Sequence, residues 1–272
     1  MRKIGVLMSY RSDVDLAAKF REAKEMGLSC CQLTIWDQSL FTEEHAQKIC
    51  GAIKEVGFEV TTLWAGWSGP CEWNFTYGPT TIGLVPAAYR GIRLAELMAA
   101  SAFAERIGVK QVATHVGFLP NNPADPDYIG TVGALRQLCG AMKKREQYFL
   151  FETGQETPVT LLRAIEDIGM DNVGINLDTA NLILYGMANT LDAVSVFGKY
   201  VMNTHIKDGL YPTEGRSLGK EMPVGQGVAN IDAVVRRLEE IGYEGPFIIE
   251  REIKGERQIR DINMAKEYLL SI

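Results

Sequence analysis

The chain of 272 residues carries 28 Lys and Arg against 34 Asp and Glu, a net charge of −6, and 46% of it is apolar. That composition belongs to a globular chain, and the acidic balance argues against a nucleic-acid or anionic-membrane partner, which would require a dense Lys/Arg face. No run of about 18 apolar residues offers a bilayer span, and five cysteines without C-x-x-C spacing, Cys30 and Cys31 adjacent, read as reduced thiols of a cytoplasmic protein.

In chain order, β-rich runs alternate with helical stretches. Residues 1–8 are basic and then apolar like a signal peptide, but Arg11, Asp13 and Asp15 interrupt too soon. Residues 3–9 read as the first strand, and Asp13 opens a helix that Gly27 closes. Residues 29–36 form the second strand, and Thr42-Glu43-Glu44 starts a helix closed by Gly57. The third strand, 58–64, leads into a long irregular stretch, 65–86, and a helix from Pro86 to Gly108. Strands at 111–116 and 147–152 follow, then a helix from Thr157-Pro158 to Gly169. The last strands are 173–178, 200–205 and 246–250, with an irregular stretch at 208–230 and a helix over 232–241 that ends at Gly242. Each of these helices stops on a residue that tolerates φ > 0, and a strand follows within a few residues.

Eight strand–helix units of about 34 residues suit a closed parallel (β/α)8 TIM barrel of the α/β class. A doubly wound sheet would offer a glycine-rich phosphate turn after its first strand, whereas this chain has Ser9-Tyr10-Arg11-Ser12-Asp13 there. No linker composition splits the chain, so residues 1–272 read as one domain.

Ionisable residues fall at the ends of four consecutive strands: Glu152, Asp178, His205 and Glu250. Alternation puts Glu152 on a face with Leu150, Asp178 with Asn176, and His205 with Asn203 and Lys207. In a closed barrel such ends ring one mouth. Three carboxylates crowded there would repel one another unless a cation neutralised them. Three oxygens and one imidazole suit Mn²⁺ first, with Co²⁺, Mg²⁺ or Zn²⁺ as alternatives.

At these residues the sequence resembles the xylose-isomerase-like sugar isomerase/epimerase family, which includes D-tagatose 3-epimerases, inosose dehydratases and, more distantly, endonuclease IV. The segments that carry the resemblance are Phe151-Glu152-Thr153-Gly154-Gln155-Glu156, Asn176-Leu177-Asp178-Thr179-Ala180-Asn181, Thr204-His205-Ile206-Lys207-Asp208, Gly225-Gln226-Gly227 and Ile249-Glu250. The resemblance implies one divalent metal held by Glu152, Asp178, His205 and Glu250, with the two glutamates as the acid/base pair. A proton beside a carbonyl leaves only if the resulting enediolate is stabilised, as a metal on both oxygens would do. Bases on opposite faces would invert a stereocentre, so a ketose 3-epimerase-like isomerase is expected. The alternative is a lyase of the same family, a sugar or inosose dehydratase. An endonuclease IV-like phosphodiesterase is disfavoured by the three histidines and the acidic charge, and a non-catalytic sugar-binding barrel would not need two flanking bases. The chain departs from those epimerases in having Asn181 where they have His, and Tyr211 where they have Arg. Homo-oligomers are common among such relatives, so self-association is expected.

His115, Asn181, Lys207, Glu156, Trp36 and Trp64 are candidate substrate-binding residues. Lys207 is equally readable as a rim ion pair with Asp208, and Glu156 as the residue before a helix start. Trp67 and Trp73 read more readily as rim packing, Gly225-Gln226-Gly227 as a turn, and His45 as a solvated helix residue.

Overall fold

Glycine sets where the helices stop: Gly27, Gly57, Gly108, Gly169 and Gly242 all lie in the left-handed region, with φ of 79, 63, 73, 66 and 89°. In the computed structural model, which describes residues 2–272, the order is β1 (Ile4–Ser9), α1 (Leu16–Glu25), β2 (Cys30–Ile35), α2 (Glu43–Val56), β3 (Glu59–Ala65), α3 (Gly78–Thr81), α4 (Ala87–Arg106), β4 (Gln111–His115), α5 (Pro126–Lys143) and β5 (Tyr148–Glu152). There follow α6 (Pro158–Ile168), β6 (Val173–Asp178), α7 (Asn181–Leu184), α8 (Thr190–Phe197), β7 (Val201–Ile206), β8 (Asp208–Leu210), β9 (Lys220–Met222), α9 (Ile231–Glu240), β10 (Phe247–Ile249) and α10 (Glu256–Ser271).

Eight parallel strands close in the order β1-β10-β7-β6-β5-β4-β3-β2, a (β/α)8 barrel, and β8 with β9 forms an antiparallel hairpin outside it. Their outer faces bury Leu33, Leu63, Phe149 and Ile175 against helix residues such as Phe20, Ile49, Phe103 and Leu161. Among the described residues no helix is long and apolar enough to cross a membrane, and all five cysteines are free thiols.

Two expectations need correction. The first helix is capped by Asp15, whose carboxylate accepts the Ala18 N–H at 2.9 Å, while Asp13 pairs with Arg11. The stretch 208–230 contains the hairpin, whose three-residue strands are too short to show alternation.

Register carries the strand ends to one level. His115 lies opposite Glu152, Glu152 opposite Asn176, and Asp178 opposite His205. The register shifts at two places, between Cys31 and Gln32 and between Ile175 and Asn176. Such irregularities re-aim side chains near barrel mouths, and here they sit at the two amides that contact the site.

Candidate metal centre

Because β5, β6, β7 and β10 are neighbours in the barrel, Glu152, Asp178, His205 and Glu250 form an arc with the glutamates at its two ends. One ligand-type atom from each lies within 4.8 Å of all the others. The first three are buried and Glu250 is nearly so.

The electrostatics of this arc are those of a charge-deficient site. His205 Nδ1 stands 2.8 Å from Glu152 Oε1 and 3.1 Å from Glu250 Oε2. Burial disfavours the imidazolium, but the two carboxylates outweigh it and hold the ring protonated well above its usual range. Glu250 is driven down despite burial, by Lys207 and His205. Asp178 goes the other way: burial pushes its carboxyl well above the ordinary carboxylate range, against the pull of Lys207. Its Oδ1 caps the next turn, accepting the Ala180 and Asn181 N–H groups at 2.7 Å each. Its Oδ2 is buried with no hydrogen-bond partner, and the Lys207 ammonium is 3.7 Å away. A buried carboxylate oxygen without a donor is costly, and a cation at the centre of three carboxylates and an imidazole would satisfy it. The donor set fits a hard or borderline divalent ion.

A chain of amides fixes the histidine. Asn176 donates its Nδ2–H to the Glu152 carboxylate, which can only accept, so the Asn176 carbonyl faces away. That carbonyl accepts from Gln32 Nε2 at 2.6 Å, which turns the Gln32 carbonyl toward His205 Nε2 at 2.9 Å. Nε2 must therefore carry a proton, and in the neutral ring Nδ1 is the free lone pair, facing the arc. Asp178's neighbour on its face, Asn176, was visible as an inward residue; Gln32 was not. An amide in the otherwise apolar run Cys30-Cys31-Gln32-Leu33 is the signal that could have marked it.

The other candidates divide. His115 is buried beside the arc, burial lowers its pKa to about 4, and its Nδ1 has no partner. Asn181 Oδ1 accepts from Lys207 Nζ at 3.3 Å. Lys207 joins the centre and reaches Glu252 at 3.0 Å. It does not pair with Asp208, whose carboxylate instead accepts backbone N–H groups of Gly209, Gly225, Gly227 and Ala229. The Gly225-Gln226-Gly227 segment is therefore a structural turn, and a Cβ at Gly227 would overlap that carboxylate. Glu156 is buried and pushed up to about 8 by burial, and accepts the Gly154 N–H at 3.4 Å. His45 is half-buried, with Nδ1 2.7 Å from the Tyr10 hydroxyl, so it anchors β1 to α2.

A cavity of about 1400 Å³ runs from Glu152, His205 and Glu250 past His115, Trp36, Trp64 and Trp73, and on into the cleft between α1 and α10. Trp64 and Trp67 are buried, while Trp73 lines the cavity with Trp36 and Trp64. Neutral polar atoms without partners cluster in this part of the fold: Thr34 Oγ1, Trp67 Nε1, the Gln155 amide and the Tyr185 hydroxyl. Gln155 and Tyr185 gave no signal in the sequence beyond their nearness to strand ends.

The family model described as "Xylose isomerase-like TIM barrel" matches residues 20–268. Among solved structures, a xylose isomerase domain protein from Planctomyces limnophilus is 34% identical, with a TM-score of 0.92 over 99% of this chain and 96% of that one. A 3-keto-D-glucoside 4-epimerase from E. coli, YcjR, shares the fold at 18% identity, with a TM-score of 0.74 over 100% of both chains. An uncharacterized protein of Methanocaldococcus jannaschii, MJ1311, is 30% identical over 115 residues, 42% of this chain. That match spans only 36% of the relative's own length.

Proposed function

The chain belongs to the xylose isomerase-like TIM-barrel family, and from that premise we propose that it is a divalent-metal-dependent isomerase or epimerase acting on a keto-sugar. The observation that carries the reading is the convergence of Glu152, Asp178, His205 and Glu250 to within 4.8 Å. These four residues would hold the ion, with Mn²⁺ the first choice from the donor set. When bound, a divalent ion supplies the positive charge that lets a proton leave carbon beside a carbonyl.

The two glutamates end the arc on opposite sides, so one removes a proton from one face of the sugar and the other returns a proton to the opposite face. Positioned proton transfer of this kind contributes about 10²–10⁴-fold. His115, neutral and with an open Nδ1, meets a sugar hydroxyl, as do the Tyr185 hydroxyl and the amides of Gln155 and Asn181. The His115 Nδ1, the Gln155 amide and the Tyr185 hydroxyl, neutral and unpaired in a buried pocket, match a polyhydroxyl ligand better than an ionic one. Lys207 and Glu156 complete the polar wall, and Trp36 and Trp64 the apolar one. Free thiols throughout agree with a reducing compartment, the cytoplasm.

Proton exchange tests the reading. The Mn²⁺-loaded protein is incubated in D₂O with a panel of keto-sugars, stripped of metal, and the sugars are examined by NMR. Deuterium beside the carbonyl together with a new epimer or aldose is the expected result. A dehydrated product would make the enzyme a lyase, and no exchange with any member of the panel would refute the proposal.

A further inference from the structure

Every tryptophan in the chain stands in one cluster. Trp36, Trp64, Trp67 and Trp73 are the four the sequence contains, and their neighbouring ring centroids are 5.2–6.5 Å apart. Trp64 and Trp67 form a buried floor, whereas Trp36 is 40% and Trp73 41% exposed. Those two indoles meet at 87° with centroids 6.5 Å apart, an open corner at the cavity wall. The corner adjoins the reaction centre through His115, whose ring lies 5.1 Å from Trp73 and 5.8 Å from Trp64, and which is opposite Glu152 in register.

The corner is rigidly held. Trp36 lies against Gly66, where a Cβ would overlap its ring, and Gln38 donates to the Gly66 carbonyl at 3.0 Å. The loop bearing Trp67 and Trp73 is tied by the buried Arg93 guanidinium, which donates to the carbonyls of Ser68, Pro70, Thr81 and Gly83 at 2.7–3.2 Å and lies 5.4 Å from the Trp67 ring centroid. Large apolar rings kept in fixed positions and half open to water are arranged for contact with a ligand.

Charge decides what kind. Of the cations along the cavity, Lys207 is paired with Glu252 and Arg251 with Glu221 and Asp261, whereas Arg11 meets only the exposed Asp13 and Lys254 has no ion pair among the described residues. Beside the arc a phosphate ester would face Glu250 and Glu252, where Lys207 and Arg251 are already paired. The apolar face of an uncharged pyranose stacks on an indole without that conflict. We propose that the Trp36–Trp73 corner is a subsite for a second, uncharged sugar ring, so that the substrate is a glycoside rather than a free or phosphorylated monosaccharide. This rests on the keto-sugar reading above.

Because all four tryptophans are in this cluster, tryptophan fluorescence of the Mg²⁺-loaded protein reports on it and on no other part of the fold. Methyl glucoside, sucrose, maltose, cellobiose, trehalose and glucose 6-phosphate are titrated separately. At least one disaccharide is expected to bind about tenfold more tightly than methyl glucoside, with a blue shift. Trp73→Ala should erase that advantage and leave methyl glucoside binding nearly unchanged. Equal affinities, an advantage that survives Trp73→Ala, tighter binding of glucose 6-phosphate, or no response to any sugar would each overturn the subsite. The D₂O experiment fails independently: a disaccharide advantage without proton exchange removes the catalytic reading and keeps the subsite, and exchange of free ketoses without that advantage does the reverse.

Discussion

Replacing Gln32 by Met tests whether the amide chain sets the metal centre. Gln32 is fully buried and makes two hydrogen bonds, from His205 Nε2 at 2.9 Å and to Asn176 Oδ1 at 2.6 Å. Methionine fills a similar volume and removes both, leaving the His205 Nε2–H and the Asn176 carbonyl buried without partners. Each such group costs about 1–3 kcal/mol, so unfolding should become easier by roughly 2–6 kcal/mol. At about 2–4 °C per kcal/mol for chains near this size, the melting temperature falls by at least several degrees. The specific consequence concerns metal. With nothing accepting from Nε2, the proton can move to Nδ1, and metal affinity should drop about 10–100-fold, as for other lost partners of ligating histidines. Calorimetric titration of the stripped protein with Mn²⁺ measures this. Nitrogen NMR of the Mg²⁺-loaded protein measures the tautomer directly, and with three histidines in the chain the assignment is simple. A lower melting temperature with unchanged metal affinity and an Nε2-protonated ring would refute the reasoning, since Gln32 would then only fill space.

Glu156→Gln should stabilise the metal-free protein at neutral pH. The unfolded carboxyl ionises above its ordinary 4.5, whereas the folded one stays protonated to about 8. The native state therefore holds more protons across that window, and wild-type stability falls as pH rises through it. Denaturant melts should show the variant ahead by about 3 kcal/mol at pH 7 and level near pH 4; a constant gap would contradict the burial argument. Arg93→Met strips four carbonyls of their donor and should cost roughly 3–5 kcal/mol. A red shift of tryptophan emission should accompany it as the loop carrying Trp67 and Trp73 loosens, and emission like wild type would disprove the tie. Glu250→Gln should keep most of the metal by elemental analysis and lose at least about 10²-fold in turnover. His205→Ala should lose metal first, and undiminished metal content would count against the arc.

The barrel was legible because its punctuation is chemical. Five glycines after amphipathic stretches end five helices, and each has the positive φ that the reading required. Thr42 and Thr157 cap as their positions suggested, accepting the N–H groups of His45 and Thr160. Asp13 misled because Asp15, two residues on, is an equally good cap and directly precedes the helix, while Asp13 pairs with Arg11 at the surface. The helices α5, α8 and α10 left fainter marks. They lack a closing glycine of positive φ, and α5 and α8 run on into turns through Lys144 and Gly198, both in the right-handed conformation.

The site was legible to a different depth. Glu152, Asp178, His205 and Glu250 each interrupt an apolar strand at its end, and closure of the sheet brings such ends together whatever else the sequence contains. The residues that orient them carry no such mark. Gln32 meets Asn176 across 144 positions and His205 across 173, and the register shifts that bring these amides together depend on extra residues in the neighbouring strands, Thr61 and Met202. Lys207 shows the same limit. Alternation aimed it inward correctly, but the choice among Asp178, Glu250, Glu252 and Asp208 was made elsewhere, by four backbone N–H groups that engage the Asp208 carboxylate. The positions of the four side chains thus follow from where strands end, whereas their protonation and pairing follow from which neighbours are already satisfied, a property of the closed barrel rather than of any one segment.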